Sequence, residues 1–377
     1  MNAPQPLTVD PGLAGVVVGH TRISDVDGQA GALRYRGIAI DALVDRPFAA
    51  VASLVALGKE VPAVLRLIDQ PPALTAEERA LVLAAPQDRP PMQVLQGVIP
   101  LLAKTPELLA LTDADLDSID PGSALPADLR DEARHALIIA SKAPEIVATH
   151  FARKPVESAA TGYEQRFGDL IQAPAQQREA LLDAFRVMQI LQLEHSFNAS
   201  TFAARVIGST LAPIENALSG AVGTLHGVLH GGADQAALET ADAVGSAAAA
   251  AGFVDQCLAD NTKVMGMGHR EYRVLDPRAR YAKALAESVS RGTPHSKTFE
   301  TLAAIEAHFE ARMAAQGKAL HANIEFYKGL IFRMLGLPPA YFTALFAMAR
   351  LFGYVAHVLE SRFDNRLIRP AARYIGP

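Results

Sequence analysis

The chain has 377 residues, half of them apolar and a fifth charged, with a formal net charge of -5 and a single cysteine, Cys257. That is length enough for one large domain or two ordinary ones, with ample apolar content for a core, and it argues against disorder and against a nucleic-acid surface. One cysteine excludes an internal disulfide and a cysteine-rich metal site, and suits a reducing compartment.

Residues 1–11 are polar and proline-bearing and are expected to form a loose tail. The N-terminus carries neither a signal peptide nor an arginine-rich transit pattern. No apolar stretch of about 18 residues is free of charge and proline, so no membrane span is expected and the protein is placed in the cytoplasm. The stretch "TRISDVDGQAGALRYRG" (21–37) predicts a β-hairpin, with Asp27-Gly28 as the turn. It is the only clear β signal, and the fold class expected from the rest is all-α.

Along the remaining chain, 27 glycines and 24 prolines cut the apolar runs into many helices of modest length. "LTAEERALVLAA" carries a capping box, with Thr75 as cap and Glu78 three residues on. The acidic stretch "DADLDSIDPG" fails the calcium-loop pattern, because Ser118 and Ala124 stand where glycine and glutamate are needed. Residues 95–165 are helical in character without a chemical motif. "REALLDAFRVMQILQLEHSF" (178–197) places apolar residues at 181, 182, 185, 188, 191 and 193, one wide helical stripe. "ETADAVGSAAAAAGFVDQCL" is alanine-rich and reads as helix. "PAYFTALFAMARLFGYVAHVLESRF" (339–363) is the longest apolar helical segment.

Four segments could carry chemistry. "TLHGVLHGGAD" sets His226 and His230 four apart, which is the spacing of a zinc helix, but Gly227 stands where a zinc protease needs glutamate. Gly227, Gly231 and Gly232 weaken a helix there. The alternatives are a loop with a packed histidine, or a glycine-lined approach that leaves His230 open to a substrate. "KVMGMGHREYRVLDPRAR" joins Gly266, Gly268 and His269 to Lys263, Arg270, Arg273 and Arg278, half of a phosphate-loop pattern with no preceding strand. In Asp276-Pro277-Arg278 the aspartate can cap a helix, or Arg278 can be held at a positive helix end where a carboxylate would bind. "EHSFNASTFAARV" contributes His195, which alone reads most simply as a core histidine; its Asn198-Ala-Ser sequon is discounted without a secretion signal. "HANIEFYKG" sets Glu325 among Ile324, Phe326 and Tyr327, a setting that suits a general base; the plain alternative is a surface glutamate. Arginines at 278, 350 and 369 suit a small multi-carboxylate ligand.

These segments, in this order and spacing, resemble the citrate synthase family. The resemblance runs from "GLAGVVVGHTRISDVDGQAGALRYRG" through "EHSFNASTFAARV", "GVLHGGAD", "MGMGHREY", "DPRA" and "NIEFY" to "RLIRPAARYIG", with little contribution from about 60 to 180. It implies a multi-helical fold of a large domain (1–230, with 334–377 returning to it) and a small domain (231–333). It implies a homodimer of the shorter family form, without the N-terminal domain linked to hexamers and NADH inhibition. The implied enzyme is an acyltransferase of the Si type that joins acetyl-CoA to oxaloacetate, with coenzyme A thioester as co-substrate, no permanently bound cofactor and no metal. Carried over residue by residue, His230 stabilises the enol of acetyl-CoA, Glu325 removes the methyl proton, and His269 polarises the oxaloacetate carbonyl. His195, Arg278 and Arg350 bind oxaloacetate, and Arg369 reaches across the dimer. Lys263, Gly266, Gly268, Arg270 and Arg273 fall to the coenzyme, and His226 to packing.

The chain departs from the family pattern at several positions. Glu325 replaces the usual aspartate, Val228 and Asp234 replace proline and asparagine, Glu271 stands where valine is usual, and no tryptophan is present. A 2-methylcitrate synthase using propionyl-CoA is the near alternative, since one methylene is worth only about 1–3 kcal/mol. A non-catalytic binder of coenzyme A or dicarboxylate, and a metal hydrolase at His226 and His230, are the distant ones.

Overall fold

The structure is a computed structural model that describes residues 12–13, 15–105, 108–116, 119 and 127–377. The expected tail at 1–11 and half of the acidic stretch at 113–122 lie outside the described residues.

The hairpin forms as β1 (Ser24–Asp27) and β2 (Ala32–Tyr35), joined antiparallel in a three-stranded sheet by a short β3 (Ile38–Ala39). Asp27 pairs with Ala32, so the turn has four residues rather than two. The Asp27 carboxylate receives the N–H groups of Gln29 and Ala30 at 3.0 and 2.8 Å, and Gly31, at φ +62°, is the left-handed residue. Gly28 is needed for another reason: a Cβ there would stand 2.2 Å from the backbone oxygen of Glu271. The turn is therefore docked on the loop that carries His269, and Arg273 N donates to Gly28 O at 2.8 Å.

Sixteen α-helices follow among the described residues. The first group is α1 (Phe48–Leu57), α2 (Pro62–Asp69), α3 (Ala76–Ala84), α4 (Pro91–Val98) and α5 (Asp113–Leu116). The capping box starts α3 as expected, and Glu78 goes further: its carboxylate also binds Ala103 N and the buried Lys142 ammonium. Next come α6 (Ala127–Ala152), α7 (Tyr163–Leu170) and α8 (Arg178–Gln192). The stripe of α8 is buried as its spacing demands, from Leu181 to Leu191.

The helix expected to run to 197 stops at Gln192. Its carbonyl accepts Arg350 Nε at 2.7 Å, and Gly353 packs so closely that a Cβ would meet Leu193 O at 2.4 Å. His195 thus stands in the connection to α9 (Ala199–Gly208), next to Ser196 in the left-handed region at φ +51°. That conformation costs a non-glycine residue about 1 kcal/mol or more.

After α10 (Ile214–Leu225) come α11 (Ala233–Val244), α12 (Ala250–Ala259), α13 (Ala279–Ser290), α14 (Ser296–Ala314) and α15 (Glu325–Met334). The alanine-rich run is not one helix. Gly245 closes α11 at φ +74°, with its N–H on Ala241 O, and α12 begins afresh after a 3-10 turn. These helices pack on one another, α11 on α15 and α14, α12 on α14, and α13 on α15.

The last helix, α16 (Phe342–Phe363), is the axis of the core. Every residue from Ala344 to Leu359 is buried, and α6, α1, α9, α10 and α8 surround it. It is long and apolar enough to cross a membrane, yet its most apolar window lies wholly inside the protein. A helix apolar on all sides is expected at such a centre. It carries Arg350 into the interior, 1% exposed.

Candidate active site

His226 and His230 do not share a helix face. α10 ends at Leu225 with His226 as its cap, and residues 227–231 form turns. Gly231 is wedged: a Cβ would stand 2.4 Å from Leu225 O and 2.6 Å from Thr343, whose hydroxyl binds Gly231 O at 2.9 Å. This glycine serves packing rather than an open approach to the backbone. The turn swings His230 toward the start of α9. Its Nε2 meets Ser200 Oγ at 2.7 Å, Asn198 Oδ1 at 3.3 Å and Ser200 N at 3.4 Å, while Tyr354 donates to the same serine hydroxyl at 2.7 Å. Burial, and then the charge of Arg350, push the His230 pKa down to about 4. At neutral pH this ring is uncharged, so it can offer an N–H without carrying a full charge.

His269 is held by a different device. Gly266 and Gly268 both lie at positive φ, and a Cβ on Gly266 would meet Phe326 at 2.9 Å. Gly268 N donates to His321 O, Asn323 N to Gly266 O and Asn323 Nδ2 to Gly268 O, which staples this loop to the segment entering α15. His269 Nδ1 receives two backbone N–H groups, from Glu271 at 3.0 Å and Tyr272 at 3.2 Å. A ring nitrogen that accepts cannot carry the proton, so the neutral ring is protonated at Nε2. Burial and the neighbouring Arg278 lower the His269 pKa.

His195 lies 5.4 Å from His269, centroid to centroid, and Tyr272 joins the pair with its hydroxyl 3.1 Å from His195 Nε2. Burial, followed by the charges of Arg278, His269 and Arg350, drives the His195 pKa far below its ordinary value. The core-histidine reading is correct about burial, but this histidine borders a cluster of charge.

Two arginines complete that cluster. Arg278 precedes the first residue of α13, 3% exposed. The Asp276 carboxylate clamps it, taking its Nε at 3.0 Å, its Nη2 at 2.9 Å and its backbone N at 3.0 Å. Burial works against the guanidinium charge, but Asp276 outweighs it and raises the Arg278 pKa. Asp276 is thus a clamp on Arg278 as well as a local cap. Arg350 donates Nε to Gln192 O and lies over the Phe346 ring at 4.7 Å. Among the described residues no carboxylate forms an ion pair with it.

Glu325 opens α15, its backbone N bound to Asn323 Oδ1 at 2.9 Å. It is close enough to His230, His269 and Arg278 to favour the charged form of each. Lys328, one turn later, brings its ammonium to 3.8 Å from Glu325 Oε1. The structure therefore gathers His195, His230, His269, Arg278, Arg350 and Glu325. Lys263, Arg270 and Arg273 are exposed, Arg270 reaching Gly12 O at 3.5 Å. Arg369 is exposed on the extended C-terminal segment. Among the described residues no three His, Cys, Asp or Glu side chains are grouped to hold a metal ion.

The sequence reading missed Ser200, Tyr354, Tyr272, Asp276 as a clamp, and Lys328. Of these only Tyr354 lay outside the segments already marked by their motifs.

Histidines, arginines and one carboxylate thus converge within a helical fold, between its α8, α13, α15 and α16 segments. The model for the citrate synthase C-terminal domain matches residues 12–371, and the chain belongs to the citrate synthase family. It is 33% identical to a citrate synthase of Acidithiobacillus ferridurans, covering 97% of this chain and 95% of that one. It is also 33% identical to a 2-methylcitrate synthase of Mycobacterium tuberculosis, over 98% of this chain and 91% of the other. Among solved structures it superposes with a TM-score of 0.82, at 25% identity, on the ternary complex of carboxymethyl coenzyme A and oxaloacetate with the Thermoplasma acidophilum citrate synthase, covering 98% and 97% of the two chains.

Proposed function

We propose that this protein condenses acetyl-CoA with oxaloacetate and water to give citrate and free coenzyme A, as an acyltransferase of the Si type. The observation that carries the reading is the placement of the Glu325 carboxylate within electrostatic reach of two neutral histidines of opposite duty, His230 and His269.

Glu325 takes a methyl proton from the thioester, and the neutral His230 donates a hydrogen bond to the thioester oxygen as the enol forms. Ser200 holds the other side of the His230 ring, so the donor is aimed before substrate arrives. His269 donates from Nε2 to the oxaloacetate carbonyl. The enol carbon attacks that carbonyl, a carbon–carbon bond forms, and the new alkoxide takes the His269 proton. Water then cleaves the thioester, releasing coenzyme A and making the condensation irreversible. His195, Arg278 and Arg350 hold the oxaloacetate carboxylates in a buried pocket, where charge-assisted hydrogen bonds are strong. Lys263, Arg270 and Arg273 receive the coenzyme phosphates beside the backbone at Gly266 and Gly268. In this reading the working unit is a homodimer, with residues 231–333 closing on the rest and Arg369 reaching the partner's site.

A second reading, 2-methylcitrate synthase with propionyl-CoA, is favoured by the relative of that name. Release of free thiol on mixing the protein and oxaloacetate with each acyl-CoA tests both. Faster release with acetyl-CoA supports the first and faster release with propionyl-CoA the second. No release from the folded protein overturns both.

A further inference from the structure

Behind Glu325 lies a charge that the mechanism above does not use. Lys328 is fully buried, as is Asp234. A lysine is almost never buried to this extent unless its charge is answered. Its ammonium donates to Gln192 Oε1 at 3.0 Å, stands 3.3 Å from Asp234 Oδ2 and 3.8 Å from Glu325 Oε1, and lies over the Phe346 ring at 4.2 Å. Asp234 Oδ2 accepts no hydrogen bond among the described residues, so the ammonium is its one close partner charge. The contact depends on Gly329, where a Cβ would stand 2.8 Å from Asp234 O; its absence lets α15 close on α11.

We infer that Lys328 is a positioning residue for the base: anchored by Gln192 and Asp234, its ammonium fixes the Glu325 carboxylate. Glu325 has one more rotatable bond than an aspartate would have, and an unconstrained carboxylate on a longer stem samples more positions. A fixed cation on the same helix face, three residues on, selects among them. Asp234 is the counter-charge of the ammonium in the interior, at the cost of dividing its field between two carboxylates. Burial pushes the Asp234 carboxyl above its ordinary value and Lys328 acts against that. The other charged or titratable groups that face the pair are His230 from the turn after α10, His269 and Arg278 from the loop and start of α13, and Arg350 from α16, which shares the Phe346 ring. From α14, Glu306 faces Tyr327 with Lys283 of α13, on the neighbouring position.

The inference rests on Glu325 being the base, and its test separates the two. Thiol release by wild type and Glu325→Gln is measured first: if Glu325→Gln turns over like wild type, the base assignment falls and this inference with it. With the base established, kcat and KM are compared for wild type and Lys328→Met. We expect kcat to fall about 10- to 100-fold, with the KM for oxaloacetate little changed. Because Lys328→Met leaves Asp234 buried without a counter-charge, the same comparison is made between Asp234→Asn and Asp234→Asn/Lys328→Met, where the loss of kcat should recur. A kcat that ignores Lys328 in a folded variant, in either comparison, overturns the inference.

Discussion

Ser200 Oγ lies 2.7 Å from His230 Nε2, and Ser200 N and Asn198 Oδ1 meet the same ring nitrogen. The serine is held in turn by Tyr354 from the central helix. Replacing Ser200 with alanine should leave His230 in place but free to turn. Steady-state kinetics should show kcat down by about 10- to 100-fold, with the KM for oxaloacetate nearly unchanged. A matching rise in that KM would mean the serine belongs to the substrate rather than to the histidine.

Glu325→Gln keeps shape and removes the base. Turnover should fall by about 100- to 10,000-fold, while calorimetry still detects oxaloacetate binding through His195, Arg278 and Arg350. Unchanged thiol release would remove Glu325 from the mechanism.

Asp276→Asn removes the charge that aims Arg278. Loss of one partner of a buried ion pair costs about 3–5 kcal/mol, so the denaturation midpoint should fall. Turnover should suffer chiefly through a higher KM for oxaloacetate. A variant as stable as wild type, with the same KM, would show that Arg278 needs no clamp.

The histidines set a pH dependence of stability. His230, at about 4 in the folded protein, sits below the ordinary value of 6.5, and His195 and His269 are shifted the same way. The unfolded chain therefore binds these protons first. Stability should be fully present above pH 6.5 and fall as pH drops toward 4, by up to about 1.4 kcal/mol per pH unit for each histidine. Denaturant midpoints across that range would check the slope, and His230→Gln should flatten it in part. A wild-type midpoint that does not change between pH 7 and pH 5 would contradict the shifts.

Gly28→Ala tests the hairpin contact. A methyl group 2.2 Å from Glu271 O cannot be accommodated without moving backbone. The loop bearing His269 should shift, lowering kcat/KM by about 100-fold for a displacement near 1 Å, although Gly28 touches no catalytic side chain. Wild-type kinetics from Gly28→Ala would show that the turn and the loop move apart at no cost.

Much of the architecture was legible because local chemistry announces it. The capping box of Thr75 and Glu78, the stripe of α8 and the apolar run of α16 each carry their own signal. The end of α8 was not legible, since Arg350, 158 positions along the chain from Gln192, and its neighbour Gly353 impose it, and no local residue marks it. The break between α11 and α12 had a signal in Gly245-Ser246 that the alanine content masked. For the site, the histidines stood out beside their glycines, but their partners did not. Ser200 and Tyr354 look like ordinary helix residues, and Lys328 reads as a solvated position on an amphipathic helix. Their duties arise only when α9, α15 and α16 meet.

The hairpin turn and residues 271–273 also bear on how the chain folds. Arg273 N binds Gly28 O, and Glu360 receives Thr21 and Arg22 across 339 and 338 positions of sequence. Contacts of such sequence separation form slowly, because loop-closure entropy is lost before they reward it. The candidate site, whose His269 loop rests on that hairpin, is consequently among the slowest parts of the fold to assemble.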